Sequence, residues 1–125
     1  MLGWQVSVYR QRDGGAGPAT ADSPEGEKLA AWQSGWEGLR WIDALVKTGE
    51  AIEIEGGGYP SRYTLPVERF ADAIANGLPG AHATWGRGPE DIVSDKWIGR
   101  SVVDDASIAR CAPSEWLIVV AFDES

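Results

Sequence analysis

The segment from residue 34 to residue 55 carries the clearest hydrophobic pattern in the chain. Its apolar residues recur at helical spacing and comprise Trp36, Leu39, Ile42, Leu45 and Val46. This spacing predicts an amphipathic helix. Ser34 and Glu37 have the spacing of a capping box at the helix start, and Gly49 is typical of a helix end. Residues 51–55 then alternate apolar and acidic side chains, so the helix is predicted to run directly into a half-buried strand.

Three further segments show strand patterns. Residues 2–8 alternate apolar and polar side chains, which predicts a strand with one face in the core. Residues 61–64 follow a glycine-rich turn and are predicted to pair with residues 51–55. Residues 115–122 are apolar on both faces, which is typical of a strand in the middle of a sheet that is covered on both sides.

The segment before the main helix admits two interpretations. Residues 23–25, Ser-Pro-Glu, can open a short helix, because proline suits the first helical position. A strand over residues 28–32 is preferred, because Gln33, Ser34 and Gly35 have to interrupt whatever precedes the main helix. This strand, the main helix and the strand of residues 51–55 would then form a right-handed crossover unit.

Two more helices are predicted in the second half of the chain. The buried stripe of the first comprises Val67, Phe70, Ala71 and Ile74. Leu65 is the expected cap of this helix, because a residue before proline avoids helical geometry, and residues 76–77, Asn-Gly, end it. Asp104 is expected to cap a short third helix that extends to Cys111.

Together these patterns predict one α+β domain spanning residues 1–125. It is expected to have two layers, with a small, mainly antiparallel sheet of four to five strands, two principal helices and a third short helix. No regular element is predicted for residues 78–96, which are rich in glycine, proline and acidic residues. Such a connection is unusually long for a small domain and is often functional. Residues 97–100 are a possible extra strand.

The charge of the chain restricts the partners that it can bind. The 125 residues carry a net charge of −8, and residues 90–125 alone contain eight acidic and three basic residues. A negative surface repels nucleic acids and anionic membranes, so neither is expected as a partner. Cys111 is the only cysteine, which excludes an intrachain disulfide and is typical of a reducing compartment. No signal peptide or membrane-spanning segment is predicted, so the expected location is cytoplasmic.

No pattern in the sequence specifies an enzyme or a cofactor. His82 and Cys111 are the only residues of their kinds, and neither lies in a motif that would pair them as a catalytic dyad. One histidine and one cysteine are also too few for a zinc site without two further carboxylates. Glu53 and Glu55 share a strand and could bind a metal. A solvated strand edge that resists aggregation is the preferred interpretation of this acidic pair.

Tryptophans beside acidic residues provide the best candidate for a binding surface. The residues expected to contact a partner are Trp85, Glu90, Asp91, Asp95 and Trp97. Aromatic residues with a charged rim are typical of binding hot spots. The leading hypothesis is therefore a protein that binds a basic partner, in the manner of an immunity or inhibitor protein that neutralises a toxin such as a nuclease. Two alternatives stay open: an enzyme or ligand-binding domain that uses His82 with nearby carboxylates, and a structural or oligomeric role through a sheet edge.

Overall fold

The computed structural model describes residues 3–12, 15–35, 38–57, 60–75, 77, 79 and 102–123. Six strands and three helices occur in these residues. In chain order they are β1 (Gly3–Gln11), β2 (Glu25–Gly35), α1 (Arg40–Thr48), β3 (Ile52–Glu55), β4 (Ser61–Pro66), α2 (Val67–Ile74), β5 (Val102–Val103), α3 (Asp105–Ala109) and β6 (Trp116–Asp123). No helix in the described part of the chain is long and apolar enough to cross a membrane.

The strands form one sheet in the order β3-β4-β6-β1-β2-β5, and every neighbouring pair is antiparallel. This confirms the α+β class and the antiparallel sheet. The predicted number of four to five strands was wrong, because the described residues form six. The short β5, in which Val103 pairs with Ala30 and Val102 with Ala31, contains too few residues to show a period of two.

Strand β6 lies inside the sheet, as its pattern predicted. It pairs with β1 on one side and with β4 on the other. On one face Leu117, Val119 and Ala121 join the main core, and on the other Ile118 and Val120 pack with Ala19. Burial on both faces explains why this strand contains no charged residue between Trp116 and Asp123.

The main core lies between the sheet and the helices. Its largest fully buried side chains are Trp32, Phe70, Leu29, Ile42, Leu65 and Leu117, which come from strands and helices alike. All three helices contribute to this cluster, since Ile42 comes from α1, Phe70 from α2 and the half-buried Ile108 from α3. The connection between β1 and β2 covers part of the opposite face, where Ala19 donates its N–H to the Thr64 hydroxyl at 3.1 Å.

The path from β2 through α1 to β3 differs from the predicted crossover unit. β2 and β3 run in the same direction, because four successive antiparallel pairings separate them, but β1, β6 and β4 lie between them. The sequence could not indicate this separation. Strand β6 is the last strand in sequence order, but it lies between β1 and β4, because both of its faces are apolar and have to be covered.

The predicted capping box at the start of α1 was wrong. Ser34 belongs to β2, lies opposite Trp4 of β1 and is fully buried, and the helix begins only at Arg40. Glu37 lies outside the described residues. The predicted end was correct, because Gly49 has a φ of 83° and donates its N–H to the carbonyls of Leu45 and Val46.

Smaller corrections apply to α2 and α3. Pro66, not Leu65, is the N-cap of α2, and Ala71 is exposed although the stripe placed it in the core. The cap of α3 was predicted correctly, because the Asp104 carboxylate accepts the N–H of Ser107 at 3.0 Å. This helix ends at Ala109, two residues before Cys111.

Gly38 is required by the turn that joins β2 to α1. Its N–H donates to the carbonyl of Gly35 at 2.9 Å, and a Cβ at this position would overlap the Ser34 side chain.

We expect Gly38→Ala to lower the free energy of unfolding by about 1–3 kcal/mol, the usual cost of overpacking. A Cβ at Gly17 meets nothing within 4 Å. Gly17→Ala is therefore the matched control, expected within about 0.5 kcal/mol of the wild type in urea unfolding. Equal urea midpoints for the two variants would contradict the close contact between Gly38 and the Ser34 side chain.

Candidate functional site

The residues predicted to contact a partner lie outside the part of the chain that the structure describes. These residues are Trp85, Glu90, Asp91, Asp95 and Trp97, and His82 lies outside it as well. Their assignment stays a prediction. The described residues that flank this part of the sequence are Pro79 before it and Val102 after it, and both contact β2. The Pro79 carbonyl accepts the indole N–H of Trp32 at 3.0 Å, and Val102 pairs with Ala31.

A buried ion pair joins β1 to Glu115, the residue that precedes β6. Arg10 near the end of β1 donates to one carboxylate oxygen of Glu115 from Nη2 at 2.6 Å and from Nε at 3.1 Å. The other oxygen of Glu115 accepts the N–H of Ala112 at 3.0 Å. The side chain of Glu115 is only 3% exposed, whereas that of Arg10 is 29% exposed. Glu115 therefore depends on these donors for the hydrogen bonds that water no longer supplies.

A second polar cluster lies around Ser107, which is buried. Its hydroxyl is 2.8 Å from a Glu27 oxygen, 2.9 Å from an Asp104 oxygen and 2.7 Å from Nη2 of Arg110. A hydroxyl has one proton, so it can donate to only one of the two carboxylates, while Arg110 donates to it. Glu27 also lies 3.7 Å from Arg10, so this cluster adjoins the buried ion pair and holds α3 against β2.

Two pKa shifts follow from these contacts. Burial acts to raise the pKa of Glu115, but hydrogen bonds from Arg10 and Cys111, with the guanidinium charge, outweigh burial and lower this pKa. Burial, followed by the hydrogen bond to Glu115 and its negative charge, raises the pKa of the Cys111 thiol to about 11. Cys111 is therefore a protonated thiol at neutral pH, which is the weakly nucleophilic form.

The geometry of this region fits stabilisation of the fold better than catalysis. Its charged groups are hydrogen-bonded to one another, and the adjoining depression has a volume of about 280 Å³ and is lined by residues 10–12, 26 and 27. No group of three or more His, Cys, Asp or Glu residues in the described ranges is arranged to hold a metal ion. Sequence reasoning missed Arg10 and Glu115 because 105 positions separate them. The only local signal was the spacing of Asp104 and Ser107.

The arginines of the described surface are outnumbered by the carboxylates that they contact. Three arginines each lie within 4 Å of two acidic side chains: Arg10 contacts Glu27 and Glu115, Arg62 contacts Glu25 and Glu55, and Arg69 contacts Glu50 and Asp72. Arg110 also lies 3.7 Å from Glu27, so the Arg10 group contains two arginines and two glutamates and is balanced. The Arg62 and Arg69 groups each keep a net negative charge, because one positive charge cannot neutralise two negative ones. Six other exposed carboxylates form no salt bridge among the described residues, namely Asp22, Asp43, Glu53, Glu68, Asp104 and Asp105.

Comparison with known proteins gives no relative: no family model, no curated protein and no solved structure matches the chain.

Proposed function

We propose that this chain is a protein-binding protein that docks a basic partner, in the manner of an immunity or inhibitor protein that neutralises a toxin. The observation that carries the proposal is the uncompensated negative charge. Arg62 and Arg69 are each shared by two carboxylates, and six further acids are exposed without an ion pair in the described part of the chain. Such a surface attracts a positively charged protein over distances of about a Debye length.

The contact surface in this proposal includes Trp85, Glu90, Asp91, Asp95 and Trp97. The two tryptophans would supply apolar contact area, and the three acids would supply the charge that steers association. A nuclease is a suitable kind of target, because a cleft that binds nucleic acid is positively charged. An acidic protein placed over that cleft would exclude the nucleic acid and thereby inhibit the enzyme.

The first experiment identifies the partner. The purified protein is immobilised, exposed to an extract of the cell that produces it and washed with increasing salt, and the retained proteins are identified by mass spectrometry. We expect a basic protein that is retained at low salt, is released as the salt rises and binds again in purified form. Absence of any basic protein that binds in purified form would contradict the proposal.

The second experiment tests the surface by charge reversal. We expect simultaneous Glu90→Lys, Asp91→Lys and Asp95→Lys to slow association with the verified partner by roughly 10- to 1000-fold at low salt, and to reduce the dependence of the rate on salt. The matched control reverses Asp22 in the connection between β1 and β2, Glu68 on α2 and Asp105 on α3, which changes the net charge of the chain equally. If both triple variants associate equally slowly, total charge matters and these three acids do not define the surface. Unchanged kinetics in the first variant reject the assignment.

A further inference from the structure

Strand β3 is the longer of the two edges of the described sheet. It has four residues and pairs only with β4, whereas β5 at the opposite edge has two. Its outer side therefore presents backbone N–H and C=O groups that no described strand pairs. Ile52 is 44% exposed, although an isoleucine in a strand is usually buried against a neighbour. An edge of this kind is able to receive one more extended segment.

The edge is negatively charged as well as unpaired by any described strand. Glu53 is exposed and forms no ion pair among the described residues, and Asp43 of α1 lies close enough to receive the Tyr63 hydroxyl at 3.4 Å. Burial together with the charges of Asp43 and Glu53 raises the pKa of Tyr63, which is consistent with both carboxylates lying near its hydroxyl. Glu55 adds a third negative charge, because it shares Arg62 with Glu25.

This charge discriminates between possible occupants of the edge. A second copy of the chain would bring two acidic β3 strands together, and like charges facing each other across a strand pair are destabilising. A segment that carries lysine or arginine would instead be stabilised at this edge, because each basic side chain can lie beside an acidic one.

We propose that the outer edge of β3 pairs with an extended basic segment of the partner, which adds a strand to the sheet beside Glu53 and Glu55. This inference rests on the proposed function and adds a second contact region to it. Backbone hydrogen bonds would hold the segment in place, and the acidic side chains would select a basic sequence. Exposed Ile52 would pack against an aliphatic residue of the same segment.

A synthetic peptide of eight residues that alternates lysine and valine is a direct probe. We expect it to shift the amide resonances of residues 52–55 in NMR spectra and to slow their hydrogen exchange. Two control peptides separate charge from strand pairing: one has glutamate in place of lysine, and the other has N-methyl groups on alternate residues, which remove the ladder hydrogen bonds and keep the charge. The inference requires both controls to bind more weakly. Equal effects of the N-methylated peptide would overturn it.

Charge reversal at the edge tests the same inference on the protein. We expect Glu53→Lys to weaken binding of the lysine–valine peptide by roughly 2- to 30-fold, because an attractive cross-strand pair becomes repulsive. Glu68→Lys on α2 is the matched control, since Glu68 is exposed, forms no described ion pair and lies off the sheet. Equal weakening by both variants would overturn strand pairing at this edge.

The verified partner distinguishes this inference from the proposed function. If the partner binds the Glu53→Lys variant as tightly as the wild type, but loses affinity when Glu90, Asp91 and Asp95 are reversed, the edge is not used and the proposed function stands. If the partner protects residues 52–55 from exchange and Glu53→Lys weakens it, both are supported. If the free protein forms dimers that protect residues 52–55, the edge binds a second copy and the inference is overturned.

Discussion

Replacing Phe70 by alanine is expected to lower the free energy of unfolding by about 3–5 kcal/mol, a typical cost of truncating a buried aromatic residue. Phe70 is fully buried, and its ring centre lies 6.3 Å from that of Trp41. The loss has two parts, which are the burial of the ring itself and the cavity that the surrounding side chains cannot fill. Folded domains are stable by only about 5–15 kcal/mol, so this variant would lose a large fraction of the total.

The chain contains its own control, because Phe122 is the only other phenylalanine and is 47% exposed. Phe122→Ala removes the same atoms from the end of β6, and we expect a cost of about 1 kcal/mol or less. Guanidinium unfolding, followed by tryptophan fluorescence, gives both values. Similar costs for the two variants would contradict the placement of α2 over the sheet. If Phe70→Ala does not fold, Phe70→Leu provides the comparison, with an expected cost of roughly 1–2 kcal/mol.

Glu115→Gln is expected to cost about 3 kcal/mol, because it removes one partner of a buried ion pair and leaves the charge of Arg10 poorly compensated. The value lies at the lower end of the usual range because Arg10 is 29% exposed and keeps Glu27 at 3.7 Å. The control is Glu55→Gln, which makes the same change in an ion pair whose glutamate is 47% exposed. Exposed pairs contribute about 0–1 kcal/mol, so this variant should unfold close to the wild type. Equal costs would mean that the burial of Glu115 has no energetic consequence.

The same variant has a distinct pH dependence. The pKa of Glu115 is lower in the folded protein than in the unfolded chain, where it is about 4.3. The contribution of the carboxylate is therefore fully present above that pH and is lost as the pH falls through the folded pKa. We expect the stability difference between the wild type and Glu115→Gln to be constant near neutral pH and to shrink below about pH 4. A difference that grows on acidification would contradict the lowered pKa.

Part of the fold could be predicted because its causes are local. Gly49 ends α1 by adopting a left-handed conformation, and Asp104 caps α3 through an N–H three residues ahead. Both interactions involve neighbours in the chain, so the residue types alone indicate them. Ser34 shows the limit of such reasoning, because a buried position opposite Trp4 and a capping position both accept serine. The pairing of β2 with β1 places Ser34 in the sheet and not at the start of α1.

The candidate site could be predicted to a smaller extent. The sequence indicated the acidic surface, because charge is a property of composition and solvent-exposed acids need no partner. It did not indicate the ion pair of Arg10 and Glu115, since no local pattern relates residues 105 positions apart. It did predict a strand at residues 51–55 and favoured a solvated strand edge for Glu53 and Glu55, which the position of β3 at one end of the sheet confirms.

By itself, the sequence determined the type of most elements, the central position of β6 and the negative charge. Periodicity and capping residues indicate the type of an element, and the apolar character of both faces of β6 indicates its central position. Only the tertiary structure decided the strand order, the start of α1 and the buried charge network. These features result from hydrogen bonding and burial between segments that are far apart in the chain. Such contacts depend on the order and register of the complete sheet, so they leave no periodic pattern in the sequence.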